Sequence, residues 1–213
     1  MTTPVTDATP TTFGARTVSD LLDAVAARQP TPGGGAIAAV TVAMAASLGE
    51  MVLRYRIGRP DSAAHDALHR EVLESLGGLR SRALALADTD ATAFEHLSAL
   101  WKLPADDQRR QAEWADAVAG AIDAPQRVMA AGLTVLELLD RVSPTVGTGL
   151  RSDLAIAALL ARSGAEAAAW NVRVNLPQLG NDARACVLQQ DTARTMARAQ
   201  ALRDAIERTC RGS

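Results

Sequence analysis

Apolar residues recur every three or four positions through most of this chain, which is the spacing that places them on one face of an α-helix. The stretches with this spacing predict six helices, over residues 17–29, 33–56, 61–102, 106–142, 151–176 and 181–209. Several are long, and short breaks rich in proline and glycine separate them. The pattern predicts an all-α fold, an antiparallel bundle of about five to six helices.

One helical domain accounts for residues 17–213, because no internal repeat, linker or second core interrupts the pattern. Residues 1–16 are polar and lack a periodic apolar face, so we expect a flexible tail there. Pro125 stands inside the 106–142 stretch. A proline there removes a helical hydrogen bond, so it predicts an interruption in the form of a kink.

Composition narrows the fold and the partners. The chain has 44 alanines but only six aromatic residues, a mixture that favours helices and argues against an all-β fold. Its 22 basic and 24 acidic residues leave a net charge of -2, so no overall positive field attracts nucleic acid or anionic lipid. Scattered aromatic residues also offer no platform on which bases could stack. We therefore expect no nucleic-acid partner.

Two features bear on where the protein resides. The most apolar segment, residues 36–52, is mostly alanine and includes Thr41 and Glu50, so we expect it to be too short and too weakly apolar to span a membrane. Cys186 and Cys210 both fall in the last predicted helix, roughly 36 Å apart, and cannot form a disulfide there. Two free thiols indicate a cytoplasmic setting.

Small residues line faces of two predicted helices. These faces are formed by Ala38, Ala39, Ala43, Ala45 and Ala46 in the second helix, and by Leu154, Ala158, Ala161, Ala165, Ala168 and Ala169 in the fifth. They let neighbouring backbones approach closely, which suits either ordinary tight packing or a dimer interface. Because thin helices leave little interior volume, a cleft between subunits is the more natural place for a ligand.

The string PTPGGG, residues 30–35, lies where a loop becomes an alanine-rich helix. Glycines there let a ligand touch the backbone, and the free N–H groups of a helix N-terminus favour a carboxylate or phosphate. No Gly-Lys-Ser/Thr follows, so the string is not a P-loop. The alternative is a purely structural turn, although three adjacent glycines cost conformational entropy.

Two further strings carry polar groups suited to a ligand. Asn171 and Asn175 are four residues apart and share one helix face, where their amides can bind the edge of a heterocycle. Ser152 and Asp153 start the fifth helix, and taken alone their favoured explanation is structural, as N-cap and first-turn residues. Asp153 lies roughly 27 Å from Asn171 along that helix. If both serve one site, a two-fold related subunit must bring them together.

Basic residues are candidates for binding or proton transfer. Lys102 is the only lysine beside 21 arginines; chance is the simpler explanation, but an amine can shift its pKa and transfer a proton. Arg54 and Arg56 stand at the far end of the second helix, as either a solvated helix end or a clamp for a polycarboxylate tail. We expect no metal site, because no cysteine or carboxylate pair lies at ligand spacing from the three histidines.

These strings, in this order, resemble the cyclodeaminase/cyclohydrolase family of folate enzymes. The resemblance covers about residues 17–205 and rests on PTPGGGAIAAV from Pro30, MV at 51–52, DATAF at 90–94, LP at 103–104, SD at 152–153 and NVRVN at 171–175. The family includes the cyclodeaminase half of formiminotransferase-cyclodeaminase and stand-alone methenyltetrahydrofolate cyclohydrolases. The resemblance implies an all-α enzyme, a homodimer, and a folate site in the groove between subunits.

The sequence departs from this family pattern at two places. The string LRYR at 53–56 replaces the usual Asn-Leu-Thr after Met-Val, and Ala105 stands where a lysine commonly follows Leu-Pro. Lys102, about one turn earlier, is the candidate for supplying the missing amine.

The resemblance implies chemistry on the carbon between N5 and N10 of tetrahydrofolate, with no other cofactor. In a cyclodeaminase N10 attacks the formimino carbon and ammonia leaves, whereas in a cyclohydrolase water attacks the methenyl carbon. We favour the cyclodeaminase, with the cyclohydrolase as the alternative and a non-catalytic ligand-binding helical dimer as the second alternative. The catalytic candidates are Asp153 or Asp90 as base and Lys102 as acid. Candidates for binding the substrate, including a polyglutamylated form, are Thr31, Gly33, Gly34, Gly35, Asn171, Asn175, Arg54 and Arg56.

Overall fold

Six α-helices joined by short loops and 3-10 turns form the structure, a computed structural model that describes residues 12–180 and 183–212. The helices are α1 (Val18–Ala26), α2 (Gly34–Arg56), α3 (Asp66–Trp101), α4 (Gln108–Val142), α5 (Arg151–Asn175) and α6 (Ala183–Arg211). Within the described ranges no β-strand occurs. The all-α prediction is confirmed, and the helix bounds lie close to those expected from the periodicity.

Neighbouring helices run antiparallel through the core. Gly35 of α2 lies beside Asp90 of α3, whereas Gly49, further along α2, lies beside Leu76, nearer the start of α3. The same reversed order relates α3 to α4, α4 to α5, α5 to α6, and α2 to α5. α2 contacts α3, α4 and α5, and α6 packs on α4 and α5. The predicted antiparallel bundle is therefore confirmed.

The alanine-rich faces are buried inside the protomer. Gly164 of α5 fits against Val42 and the Ala38 carbonyl of α2, and Gly132 of α4 fits against Ala165 so closely that a Cβ would lie 3.0 Å away. The residues of both faces are at most 4% exposed. The interpretation of these faces as a dimer interface is therefore wrong, and the tight-packing alternative is correct. Thin helices of one chain use these faces to pack on each other.

The apolar composition of α2 has the same explanation. Among the described helices, α2 alone is long and apolar enough to cross a membrane by length and composition, so the expectation that its apolar segment is too short and too weakly apolar is wrong. It lies in the middle of the bundle, with 61% of its most apolar window buried. Packing in the protein core accounts for this composition.

The start of α5 differs from the prediction. α5 begins at Arg151, directly after the 3-10 turn Thr148–Leu150, so Ser152 lies inside the first helical turn. No side chain caps this helix end, and the predicted N-cap role of Ser152 is wrong. The preceding turn places Leu150 at the N-cap, while Asp153 does lie in the first turn.

Pro125 does not interrupt its helix. α4 continues from Gln108 to Val142, and the proline is buried within it. The helix therefore continues through the proline, and the predicted kink stays a prediction. What a proline does remove is the hydrogen bond to the carbonyl four residues earlier, here that of Ala121.

Part of the predicted N-terminal tail packs on the bundle. Residues 1–11 of that prediction lie outside the described residues. Phe13 is buried, and its N–H donates to Asp88 Oδ1 of α3 at 3.0 Å. Because burial and a hydrogen bond hold this segment, residues 12–16 do not form the flexible tail that their polar sequence predicts.

Candidate functional site

A cleft opens at the end of the bundle where α2 begins and α5 ends. Its volume is about 100 Å³, and four helices and the glycine loop contribute to it. The lining residues are Pro30, Thr31, Gly33, Gly34, Gly35, Asp90, Phe94, Ala121, Asn171 and Asn175. The structure thus brings together seven residues that the sequence singles out, from parts of the chain that are far apart.

The glycine loop is shaped by close contacts rather than by unusual backbone angles. None of Gly33, Gly34 and Gly35 has a positive φ. A Cβ on Gly35 would lie 2.2 Å from both carboxylate oxygens of Asp90, whereas a Cβ on Gly34 would lie 3.9 Å from the Asn171 amide. Only glycine at position 35 lets the Asp90 carboxylate approach the start of α2 this closely.

Asp90 is the one titratable side chain among the residues that line this cleft. Burial raises the pKa of its carboxyl to about 6, although a hydrogen bond from the Ala36 backbone N–H opposes the shift. That N–H belongs to the first turn of α2, whose N-cap residue, Gly33, has no side chain to cap it. A carboxyl with a pKa near neutrality can take up a proton and return it in one reaction cycle.

Asn175 is held in one orientation by two hydrogen bonds. Its Nδ2 donates to the Ala121 carbonyl of α4 at 2.9 Å and to the Asn171 carbonyl at 3.1 Å. Both acceptors are carbonyl oxygens, so the NH₂ and not the oxygen of the amide must face them. Both amide hydrogens are therefore occupied, and Asn175 Oδ1 is the polar atom left for a ligand.

Asn171 lies one turn earlier on the same face of α5, as the spacing predicts. Its Nδ2 donates to the Ala167 carbonyl at 3.3 Å, and its amide is the nearest group to Gly34 across the cleft. The two amides and the start of α2 therefore line the cleft together. This arrangement offers acceptors and donors to the edge of a flat heterocycle.

Thr31 and Phe94 complete the rim. Thr31 Oγ1 donates to Glu95 Oε1 at 2.6 Å and so ties the glycine loop to α3. Phe94 is 37% exposed and gives the cleft an apolar wall. Sequence reasoning missed Phe94 as a site residue, although its place four residues after Asp90 puts it on the same face of α3. No sequence signal marks Ala121, which contributes a backbone carbonyl.

Four of the predicted site residues lie away from this cleft in the protomer. Lys102 is exposed at the C-terminus of α3, about 18 Å along the helix from Asp90. Asp153 lies at the opposite end of α5 from Asn175. The remaining two are at the end of α2 farthest from the glycine loop, Arg54 and Arg56.

The two arginines differ in their surroundings. Arg54 is paired with Glu50 at 3.3 Å, and its side chain is 64% exposed. Arg56 is buried and is paired with Asp61 at 3.1 Å. The Arg56 side chain is therefore not solvated at the helix end, whereas much more of the Arg54 side chain is accessible to a ligand.

Metal ligation has no arrangement to support it within the described residues. No group of three or more His, Cys, Asp or Glu side chains is placed to hold a metal ion there. The cleft instead combines one proton-accepting carboxyl, two amides, exposed backbone at a helix start and an aromatic wall. These groups suit a heterocyclic substrate on which proton transfer takes place.

Comparisons with known proteins agree on one family. A sequence profile of the family described as Formiminotransferase-cyclodeaminase matches residues 17–194. The chain is 32% identical over 200 residues to a methenyltetrahydrofolate cyclohydrolase from Methylorubrum extorquens, covering 92% of this chain and 96% of that protein. It is 31% identical over 163 residues to a formimidoyltransferase-cyclodeaminase from Sus scrofa, covering 75% of this chain but 30% of that longer protein.

The fold has a counterpart among solved structures. The crystal structure of formiminotetrahydrofolate cyclodeaminase from Thermotoga maritima superposes on it with a TM-score of 0.85. The match covers 93% of this chain and 98% of the other. At 23% identity, this likeness establishes a shared fold.

Proposed function

This chain belongs to the formiminotransferase-cyclodeaminase family of folate enzymes, and we propose that it acts as a methenyltetrahydrofolate cyclohydrolase. The observation that carries a proton-transfer function is a half-buried carboxyl, Asp90, with a pKa of about 6 beside two amides held by hydrogen bonds. The sequence favours the cyclodeaminase reaction, so the choice of hydrolysis rests on a comparison. The relative from Methylorubrum extorquens, which the chain matches over 96% of that protein, is named for this activity.

Hydrolysis can proceed with one proton-transfer group. The Asp90 carboxylate takes a proton from water as the water oxygen bonds to the methenyl carbon, and the C=N π electrons move onto nitrogen. The carbon–N5 bond then breaks with its electron pair going to N5, which receives the proton from the Asp90 carboxyl. The hydroxyl on the carbon loses its proton to solvent as the carbonyl forms. The products are 10-formyltetrahydrofolate and one proton.

The other polar groups of the cleft orient the substrate in this proposal. Asn175 Oδ1 accepts a hydrogen bond from an N–H on the edge of the pterin ring, and the Asn171 amide binds beside it. The exposed backbone at Gly34 lets the ring approach the start of α2. Fixing the methenyl carbon beside Asp90 makes attack by a single bound water efficient.

The cyclodeaminase reaction is the second candidate. The matching family profile and the solved counterpart in Thermotoga maritima both carry that name. Both reactions need a proton for a leaving nitrogen, and Asp90 can supply it in either, so the exposed Lys102 at the end of α3 does not separate them. Hydrolysis is preferred because the Methylorubrum extorquens relative, matched over nearly its whole length, is named for that reaction.

One pair of assays separates the candidates. The purified protein is incubated with 5,10-methenyltetrahydrofolate or with 5-formiminotetrahydrofolate while the methenyl absorbance is followed. We expect the absorbance to disappear faster with the first substrate than in a heat-inactivated control. A gain of absorbance from the second substrate would identify a cyclodeaminase instead. No absorbance change with either substrate would favour the second alternative, a non-catalytic ligand-binding dimer.

We further propose that the protein is a homodimer whose site is completed by the second subunit. The cleft of one protomer, about 100 Å³, is smaller than the roughly 300 Å³ or more of typical ligand pockets. Trp170 and Val174, the neighbours of Asn171 and Asn175 along α5, are each 65% exposed. Met44, further along α2, is 55% exposed. Covering this surface would enlarge and enclose the site.

Subunit complementation tests the shared site. Asp153→Asn and Asn171→Ala proteins are each expected to be inactive, because Asp153 of one subunit serves the site that contains Asn171 of the other. A heterodimer of the two has one intact site, so random subunit exchange restores about a quarter of the unaltered activity. Exchange is verified separately by native mass spectrometry. Verified exchange without recovered activity would contradict the shared site.

One finer assignment concerns the tail of the folate substrate. Arg54 is the better candidate for the tail of a polyglutamylated substrate, because its guanidinium is exposed while that of Arg56 is buried.

Cys186 and Cys210 are both unpaired, as the sequence predicts. We place the protein in the cytoplasm on that ground.

A further inference from the structure

Pro125 and Asn175 act on the same backbone carbonyl from different helices. In a regular helix the N–H of residue 125 would donate to the carbonyl of Ala121. A proline has no N–H, and its ring pushes that carbonyl outward. Ala121 is 6% exposed, so its carbonyl needs another donor. The Asn175 Nδ2 of α5 supplies it at 2.9 Å.

This donor belongs to the candidate site. Asn175 lines the cleft together with Ala121, and its second amide hydrogen is held by the Asn171 carbonyl at 3.1 Å. With both hydrogens on backbone carbonyls, the amide cannot rotate without leaving one of them unpaired. The Oδ1 atom therefore keeps one direction.

We propose that Pro125 is a positioning residue that frees the Ala121 carbonyl so that it fixes the Asn175 side chain for the substrate. Its importance for turnover rests on the proposed folate activity, whereas its effect on the Asn175 amide does not. Any other residue at position 125 restores an N–H that competes for the carbonyl and draws it back along the helix axis. Asn175 then loses one of its two anchors.

The amide itself can be observed by NMR. The chain has only three asparagines, at positions 171, 175 and 181, so asparagine-selective ¹⁵N labelling gives three side-chain NH₂ signals. The Asn175 pair is assigned by its loss in the Asn175→Ala protein. We expect Pro125→Val, which keeps most of the buried volume, and Pro125→Ala to shift this pair alike and to speed its hydrogen exchange. The Asn171 pair is the internal control, because its donor bond stays within α5.

Kinetics and binding test the consequence for the site. We expect Pro125→Val to weaken binding of 5,10-methenyltetrahydrofolate by about 3- to 10-fold, the effect of one hydrogen bond. The melting temperature should stay level or rise, because proline is unfavourable inside a helix. In an Asn175→Ala background, Pro125→Val should weaken folate binding by less than about twofold, because the side chain that Pro125 positions is already absent.

The outcomes are distinguishable. Unchanged Asn175 signals in both proline variants, or full additivity with Asn175→Ala, would overturn the positioning role. If Pro125→Ala shifts the Asn175 signals and Pro125→Val does not, the proline acts through packing, and the positioning role is overturned as well. If the unaltered protein binds no methenyltetrahydrofolate, the proposed function fails, while the NMR signals still decide what Pro125 does.

Discussion

Asp90→Asn is expected to lower kcat by about 10²- to 10⁴-fold, the usual contribution of a proton-transfer group. Asparagine keeps an oxygen that accepts the Ala36 N–H, so the start of α2 stays capped while the base is lost. In the unaltered enzyme, kcat/KM should fall as the pH drops below about 6, where the Asp90 carboxyl becomes protonated. Stopped-flow measurement of methenyl disappearance across pH checks both statements.

The stability of the unaltered protein depends on pH through Asp90, and the Asp90→Asn variant removes that dependence. The Asp90 pKa of about 6 in the folded protein lies above its ordinary value of 3.8. Between these values the folded chain holds a proton that the unfolded chain has released, so raising the pH lowers the free energy of unfolding. Above them the loss is complete and constant. The melting temperature of Asp90→Asn should therefore exceed that of the unaltered protein near pH 8, with the difference vanishing below about pH 4.

Asp88→Asn is the matched control, because Asp88 lies on the same helix and holds the Phe13 N–H outside the cleft. Its turnover should stay within about twofold of the unaltered enzyme. Equal losses in the two variants, or substantial activity in Asp90→Asn, would rule out Asp90 as the base.

Gly35→Ala is expected to lower kcat by about 10²-fold, because misplacing a catalytic group by an ångström has an effect of that size. The new Cβ would lie 2.2 Å from the Asp90 carboxylate oxygens, so the carboxylate must move away. Combined with Asp90→Asn, the substitution should cost little further activity, since the group it displaces is already inactive. Single-turnover kinetics of the two single variants and the double variant measure this coupling.

Gly34→Ala is the neighbouring control. Its Cβ would meet only the Asn171 amide, at 3.9 Å, and would point into the cleft without disturbing Asp90. We expect a higher dissociation constant for the folate, with kcat and the melting temperature largely kept. A lowered melting temperature with an unchanged dissociation constant would instead make the loop purely structural. Equal loss of kcat in the Gly34 and Gly35 variants would contradict the contact with Asp90.

Local spacing was sufficient for the helices and for two parts of the site. Periodic apolar residues define a helix face by themselves, so the bundle and its helix bounds could be predicted. Asn171 and Asn175 share a face for the same reason. The glycine string marked the start of α2, although a close contact with Asp90, rather than a positive φ, explains its third glycine.

The partners of each face were decided only by the tertiary structure. An alanine-rich face has the same sequence pattern whether it meets its own chain or a second subunit, and here α2, α4 and α5 bury these faces within one chain. Asp90 reaches the glycine loop because α3 runs antiparallel to α2, and nothing near it in sequence marks it above Asp153. The bond from Asn175 to the carbonyl freed by Pro125 spans 54 residues. Local pattern determines which residues share a face, but contacts between helices depend on how all the faces pack together.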